Sequence, residues 1–207
     1  GQVGVATATP NSHLQTNGLI SASKFENASN WTKTFDNYHS LLFNGVEGSV
    51  YHYMAAPDNS TIDMGTGDFS LSAWFKTPSI SSSMRIISKV GGTADHTGYE
   101  MWLKNSKVEG YIGDGYNQYT AFAGEDTLLS DTWYHCVITF DRNVAAYIYI
   151  TASSAGSVNK DSQSFTGITD RTGNIDNDGI LYIGIYGANT SPFSGFIDEV
   201  AVWDVLL

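Results

Sequence analysis

Basic residues are scarce in this chain: 10 Lys+Arg stand against 21 Asp+Glu among 207 residues, for a formal net charge of −11. Phosphate backbones and anionic lipid surfaces attract Lys/Arg clusters, and no such cluster occurs, so nucleic acid is not expected as a partner and a membrane surface is a poor one. Cysteine is nearly absent as well. Cys136 is the only thiol, so no internal disulfide can form, and its apolar surroundings predict a small buried hydrophobe. No apolar run approaches the ~18 residues of a membrane-spanning helix, and no basic-then-apolar leader is seen, so neither membrane insertion nor a signal peptide is read in these residues. Gly1 is not an initiator Met, so the chain reads as processed, trimmed or excised. Helical periodicity is missing between the apolar segments, which argues against βαβ units. No repeat of roughly 20–50 residues is visible, which argues against a propeller or solenoid.

What is present is aromatic and finely alternating. Aromatic residues make up 13% of the chain and Gly accounts for 21 positions, a composition that suits sheets packed on one face and joined by many turns. Residues 1–17 are small and polar and read as an arm or linker, leaving 18–207 as a single domain. Strands are expected near 40–44, 49–55, 69–77, 84–90, 99–104, 107–112, 116–123, 132–141, 144–151, 180–186 and 195–203. Phe69, Leu71, Ala73 and Phe75 fall on one face, with Ser70, Ser72 and Trp74 on the other. Tyr134, Cys136, Ile138 and Phe140 likewise oppose Trp133, His135, Val137 and Thr139, and bulky groups on both faces suit a strand near the middle of a sheet. Turn signals recur at Asp58-Asn59, Gly65-Thr66-Gly67-Asp68, Gly91-Gly92, Gly113-Asp114-Gly115 and Asp176-Asn177-Asp178-Gly179. Many short strands at such spacing mean a sandwich or barrel.

Three segments, in order, resemble the laminin G-like branch of the concanavalin A-like lectin/glucanase superfamily. They are SLLFNGVEGSV (40–50) followed by FSLSAWFKT (69–77), then TWYHCVITFD (132–141), then GFIDEVAVWD (195–204). The resemblance covers about 40–204 and implies an all-β jelly-roll sandwich of two antiparallel sheets. Within that fold Trp74, Trp133, Ile197 and Trp203, which lie in the matching strands, are expected to be buried core.

The superfamily includes β-glucanases, which need two carboxylates flanking the scissile bond. Their acids alternate along one strand, because only positions i, i+2 and i+4 share a face. No such run exists here. Asp198 and Glu199 are adjacent and point to opposite faces, and the resemblance implies a structural role for them. Glu125-Asp126 read as solvated. No Gly-x-Ser-x-Gly elbow occurs, and His135 and Cys136, as strand neighbours, face apart. Calcium requires six to eight oxygens. By resemblance to the pentraxin branch, Asp95 and Glu100 sit where one set of ligands would be, with Asn189 supplying the second loop; calcium is thus a candidate cofactor. The Asp-rich turn at 174–179 reads as an Asx turn entering a strand. For carbohydrate, aromatic platforms and amide or carboxylate partners are needed, and Asp114, Tyr116, Asn117, Gln118 and Tyr119 supply both. Tyr186 and Phe193 flank the neighbouring loop. Asn-x-Ser/Thr sequons at Asn27, Asn30, Asn59 and Asn189 matter only in a host that glycosylates proteins.

The leading expectation is a non-catalytic recognition module for carbohydrate or a cell surface, as in adhesion. A compatible alternative is a structural or display domain decorating a larger assembly, such as a virion capsid, tail or fibre, or a cell-surface protein. Both imply an extracellular, cell-surface or virion-surface location, a glycan or protein partner, and room for a homo-oligomer. A glycoside hydrolase is the weakest reading. Loops 91–98, 113–119 and 186–193 are expected to lie together, with Asp95, Asp114, Tyr116 and Asn189 as leading ligand residues.

Overall fold

In the computed structural model, residues 40–91, 96–115, 119–125, 127–153, 159–160, 164–187 and 189–207 are described. The expected arm therefore lies outside the described residues. The strands in chain order are β1 (Leu41–Asn44), β2 (Val46–Glu47), β3 (Val50–Tyr51), β4 (Met54–Ala56), β5 (Phe69–Lys76), β6 (Met84–Val90) and β7 (Gly98–Lys104). They continue with β8 (Lys107–Gly113), β9 (Tyr119–Ala123), β10 (Tyr134–Asp141), β11 (Ala145–Ala152), β12 (Asn159–Lys160), β13 (Leu181–Ile183) and β14 (Ser194–Trp203). Two six-stranded sheets result, in the orders β1-β14-β5-β10-β11-β12 and β4-β13-β6-β7-β8-β9, with β2 and β3 forming a separate hairpin. All named pairings are antiparallel. This is the expected jelly-roll sandwich, and among the described residues helix is confined to two short 3-10 turns at Ser60–Ile62 and Thr166–Asp170.

The core forms where the alternation directs it. Phe69, Leu71, Ala73 and Phe75 of β5 and Cys136, Ile138 and Phe140 of β10 are fully buried. They meet Ile86, Met101, Leu103 and Ile112 of the second sheet. Phe69 stacks on Phe140 at 4.2 Å between ring centroids, and Phe122 meets Phe140 edge-on at 5.8 Å; such aromatic pairs are worth about 0.5–1.5 kcal/mol beyond the area they bury. Burial pushes the Cys136 thiol well above its ordinary value, as expected for an inert packing group.

Three of the four residues expected in the core are elsewhere. Ile197 is buried, whereas Trp74 and Trp133 are half-buried and Trp203 is 37% exposed. The reason is the strand period itself. Phe75 and Tyr134 face inward as cross-strand partners, so Trp74 and Trp133, one residue away, must face outward. Two strands also differ from the expected spans. The run 49–55 divides between β3 and β4, and 180–186 ends early because Gly184 turns with φ +84°, where a Cβ would press on the Phe43 ring.

Two connections pass from one sheet to the other at the same end of the sandwich: 57–68, from β4 to β5, and 161–180, from β12 to β13. Two buried cations tie them. Lys89, 1% exposed, places Nζ 2.9 Å from Asp58 Oδ1 and 2.8 Å from Asp63 Oδ1, and donates to the Asn177 carbonyl at 2.6 Å. Arg142, 3% exposed, donates to the carbonyls of Gly65, Arg171 and Gly173 while its backbone N–H reaches Asp68 Oδ1. The Tyr99 hydroxyl adds a bond to the Ile62 carbonyl at 2.8 Å. Loop carbonyls buried without such donors would each cost about 1–3 kcal/mol. Asn174 and Asn177 accept from the N–H groups of Asp176 and Gly179, so the Asp-rich segment is the Asx turn expected.

The two faces of β10 predict unequal costs. Phe140→Ala should lower stability by about 3–5 kcal/mol, and Trp133→Ala by about 1–2 kcal/mol, in proportion to its partial burial. Urea unfolding of both variants checks this, and equal losses would contradict the inward and outward assignment.

Candidate recognition surfaces

The rim at the cation-clasped end is built by strand register. Gly98 of β7 pairs with Gly113 of β8, which sets the segment ending at Gly98 beside the one starting at Gly113. Their backbones nearly touch: a Cβ at Gly113 would overlap the His96 carbonyl, and one at Gly98 the Lys89 carbonyl. Side chains are thereby excluded, and the Tyr111 hydroxyl donates to the His96 carbonyl at 3.0 Å. Asp114 stands at this rim with its carboxylate engaged. Its Oδ2 accepts from the Gly173 N–H at 3.2 Å and its Oδ1 lies 3.7 Å from Arg171 Nη1. Of the other expected ligand residues, Asp95, Tyr116 and Asn117 lie outside the described residues, and Tyr119 opens β9 opposite Gly113.

Loop 186–193 does not join them. Strand β13 runs antiparallel to β6, with Ile183 beside Ile87, so the chain leaves β13 toward the start of β6. There the Arg85 N–H donates to the Ser191 carbonyl at 3.0 Å. The turn after Val90 is at the other end of β6, roughly 15–20 Å away at ~3.3 Å per residue. Loop 186–193 is thus apart from the edge at which Gly98 and Gly113 pair. Asn189 sits in the distant turn, where its Oδ1 accepts from Thr190 Oγ1. Phe193 is core, packed edge-on against Phe43.

Glu100 belongs to neither loop. It projects from β7 onto the outer face of the second sheet at 3% exposure, and its Oε1 accepts from Arg85 Nε at 2.9 Å and Ser88 Oγ at 2.8 Å. Burial pushes its carboxyl above the ordinary value, opposed by the Arg85 charge and by hydrogen bonds from Arg85 and Ser88. The Arg85 guanidinium lies 4.4 Å over the Trp102 ring and 5.4 Å from the Tyr186 ring. On the same face Glu109 faces Lys104 at 4.0 Å. Among the described residues no three His, Cys, Asp or Glu side chains gather as a metal site.

The outer face of the first sheet carries groups for which the sequence reading assigned no surface role. Trp133 and Phe196 approach at 6.1 Å between ring centroids, and Trp74 and His135 at 5.0 Å. Burial lowers the His135 pKa, with Glu199 opposing. The alternation of 69–77 and 132–141 separates Trp74 from Phe75 and Trp133 and His135 from Tyr134, although Trp74 and Trp133 were expected in the core. Further along the face, Trp203 Nε1 donates to Ser72 Oγ and the tail crosses β5, with Ser70 Oγ donating to the Val205 carbonyl and accepting from the Leu207 N–H.

A family profile described as the concanavalin A-like lectin/glucanases superfamily, laminin G type, matches residues 47–207. No curated protein sequence matches. Solved structures share the fold at low identity. The LG1-3 region of the laminin alpha2 chain superposes with a TM-score of 0.59 at 16% identity, over 79% of this chain and 30% of that one. The binding domain of Paraclostridial Mosquitocidal Protein 1 gives 0.58 at 15%, over 81% and 40%. The CBM40 of the Ruminococcus gnavus IT-sialidase, bound to alpha2,3 sialyllactose, gives 0.52 at 13%, over 82% and 93%. The chain thus spans less than half of the toxin and laminin structures it resembles.

With Glu100 already neutralised by Arg85 and Asn189 in a separate turn, the fold should not depend on calcium. EDTA is expected to leave the melting temperature unchanged. A fall of several degrees, reversed by calcium, would support the metal reading, because a ligand held only by the folded state stabilises it.

Proposed function

Because the chain belongs to the laminin G-like part of the concanavalin A-like lectin/glucanases superfamily, we propose that it is a non-catalytic recognition module that binds carbohydrate. Its working place is extracellular, on a cell surface or on a virion. The rim formed by 91–98 and 113–119 is the contact, with Asp95, Asp114, Tyr116, Asn117 and Tyr119 as its members. One observation supports this reading: Gly98, which closes the first segment, pairs with Gly113, which opens the second. Sandwiches hold their strands fixed and vary their loops, so recognition collects there. Tyr116 and Tyr119 supply ring faces, and Asn117 and Asp95 supply hydrogen-bonding partners for hydroxyls.

The non-catalytic half rests on the carboxylates. Hydrolysis needs one acid able to protonate the glycosidic oxygen and a second free carboxylate across the bond. Glu100 is buried against Arg85, and Glu109 is buried beside Lys104. A second, compatible reading as a display domain is favoured by exposed apolar side chains at the start of the sandwich: Leu41, Leu42, Val46, Val50 and Met54. These suit seating against a partner protein or a second copy of the chain.

Glycan-array binding of the full chain tests the rim. Binding should fall at least tenfold when Asp95, Tyr116 and Asn117 are replaced together by Ala. Undiminished binding by that variant would remove the rim as the contact, and binding to no glycan would favour the display reading.

A further inference from the structure

We propose that the outer face of the first sheet is a second, flat binding platform for neutral polysaccharide, separate from the rim and resting on the carbohydrate-recognition reading. Register builds the platform. Phe196 pairs with Lys76 across β14 and β5, and Trp133 precedes the Phe75–Tyr134 pair, so Phe196, Lys76 and Trp133 form one row across three strands. Asp198, Trp74, His135 and Thr151 form the next row, spanning β14, β5, β10 and β11. Rows two residues apart stand roughly 7 Å apart along a strand. Two ring pairs, Trp133–Phe196 and Trp74–His135, therefore succeed each other along the face within the span of a short oligosaccharide.

The chemistry of the face selects its occupant. Pyranose rings with equatorial hydroxyls present flat C–H faces, which pack on half-buried indole and phenyl rings, while their rims need hydrogen-bonding partners. The rings here are half-buried and fixed in a sheet, so little side-chain freedom is lost on binding. Lys76 has no acidic partner within ion-pair distance among the described residues. Its ammonium thus remains as a donor at the border of the aromatic surface.

Charge narrows the class further. The Lys76 charge is outnumbered locally by Asp198 and Glu199 of β14, and the chain as a whole carries −11. A polyanionic chain would be repelled, and a neutral one is not. The C-terminal segment bounds the platform by lying over Ser70 and Ser72, so among the described residues the area left uncovered is the half that holds the two ring pairs.

Affinity electrophoresis of the full chain tests this, with hydroxyethyl cellulose and mixed-linkage β-glucan as neutral probes and polygalacturonate as the anionic one. The neutral probes should retard the chain, and Trp74→Ala combined with Trp133→Ala should weaken that retardation at least tenfold. The rim variant lacking Asp95, Tyr116 and Asn117 should still be retarded. In the unmodified chain, the neutral glucan should also shield tryptophan emission from acrylamide quenching, a readout that does not depend on the double variant folding. Retardation lost only in the rim variant would overturn the platform while leaving recognition intact. Retardation by polygalacturonate alone, or by no neutral glucan, would overturn it as well.

Discussion

Two buried cations, Lys89 and Arg142, hold together the end of the sandwich on which the proposed recognition rim stands. Each is almost wholly removed from water, which is tolerated only when the charge is fully engaged. Lys89 meets two carboxylates and a carbonyl, and Arg142 spreads its guanidinium over three loop carbonyls. The loops they bind are the connections between the sheets, whose backbone groups have no ladder partners. A sandwich can be closed at its ends by apolar side chains, but only donors can satisfy crossing carbonyls. The rim inherits this rigidity, since Asp114 reaches Gly173 and Arg171 in the same crossing segment.

The molecule thereby divides its work between places that differ physically. The rim is made of backbone turns pressed too close for side chains at Gly98 and Gly113. The outer face of the second sheet is closed on itself, with Glu100, Arg85, Trp102 and Ser88 engaged or packed together. The outer face of the first sheet presents half-buried aromatic side chains, Trp74, Trp133 and Phe196. A carboxylate held at 3% exposure beside an arginine is a structural fixture, whereas half-buried indoles on a rigid sheet are a surface available to a ligand.

Much of the fold was legible in the sequence because a strand's period is two. The inward set of β5 and β10 followed from counting, and the resemblance in 40–50, 132–141 and 195–204 named the architecture. Trp74 and Trp133 were misread because size was allowed to outweigh parity: an indole favours burial, but its position on the strand had already set its face. The placement of 186–193 was hidden for a different reason. Which end of β6 a loop meets depends on the direction of β13, a pairing between residues nearly one hundred positions apart that leaves no local pattern. Lys89 and Arg142 were equally silent, since a lone cation in an apolar strand, or in the turn after one, looks like a solvated edge until the crossing loops are seen over it.

Amide hydrogen exchange on an Arg142→Met variant tests the central role of the cation clasp most directly. The substitution keeps much of the side-chain length and removes every guanidinium donor, taking that partner from the carbonyls of Arg171 and Gly173 at about 1–3 kcal/mol each, while the Gly65 carbonyl keeps only its bond from the Ile175 N–H. Segments 58–68 and 171–179, together with the Gly98–Gly113 rim, should lose protection by at least tenfold, while the central strands β5 and β10 keep theirs. Protection unchanged in those loops, or lost evenly over all strands, would contradict an end of the sandwich organised by buried charge.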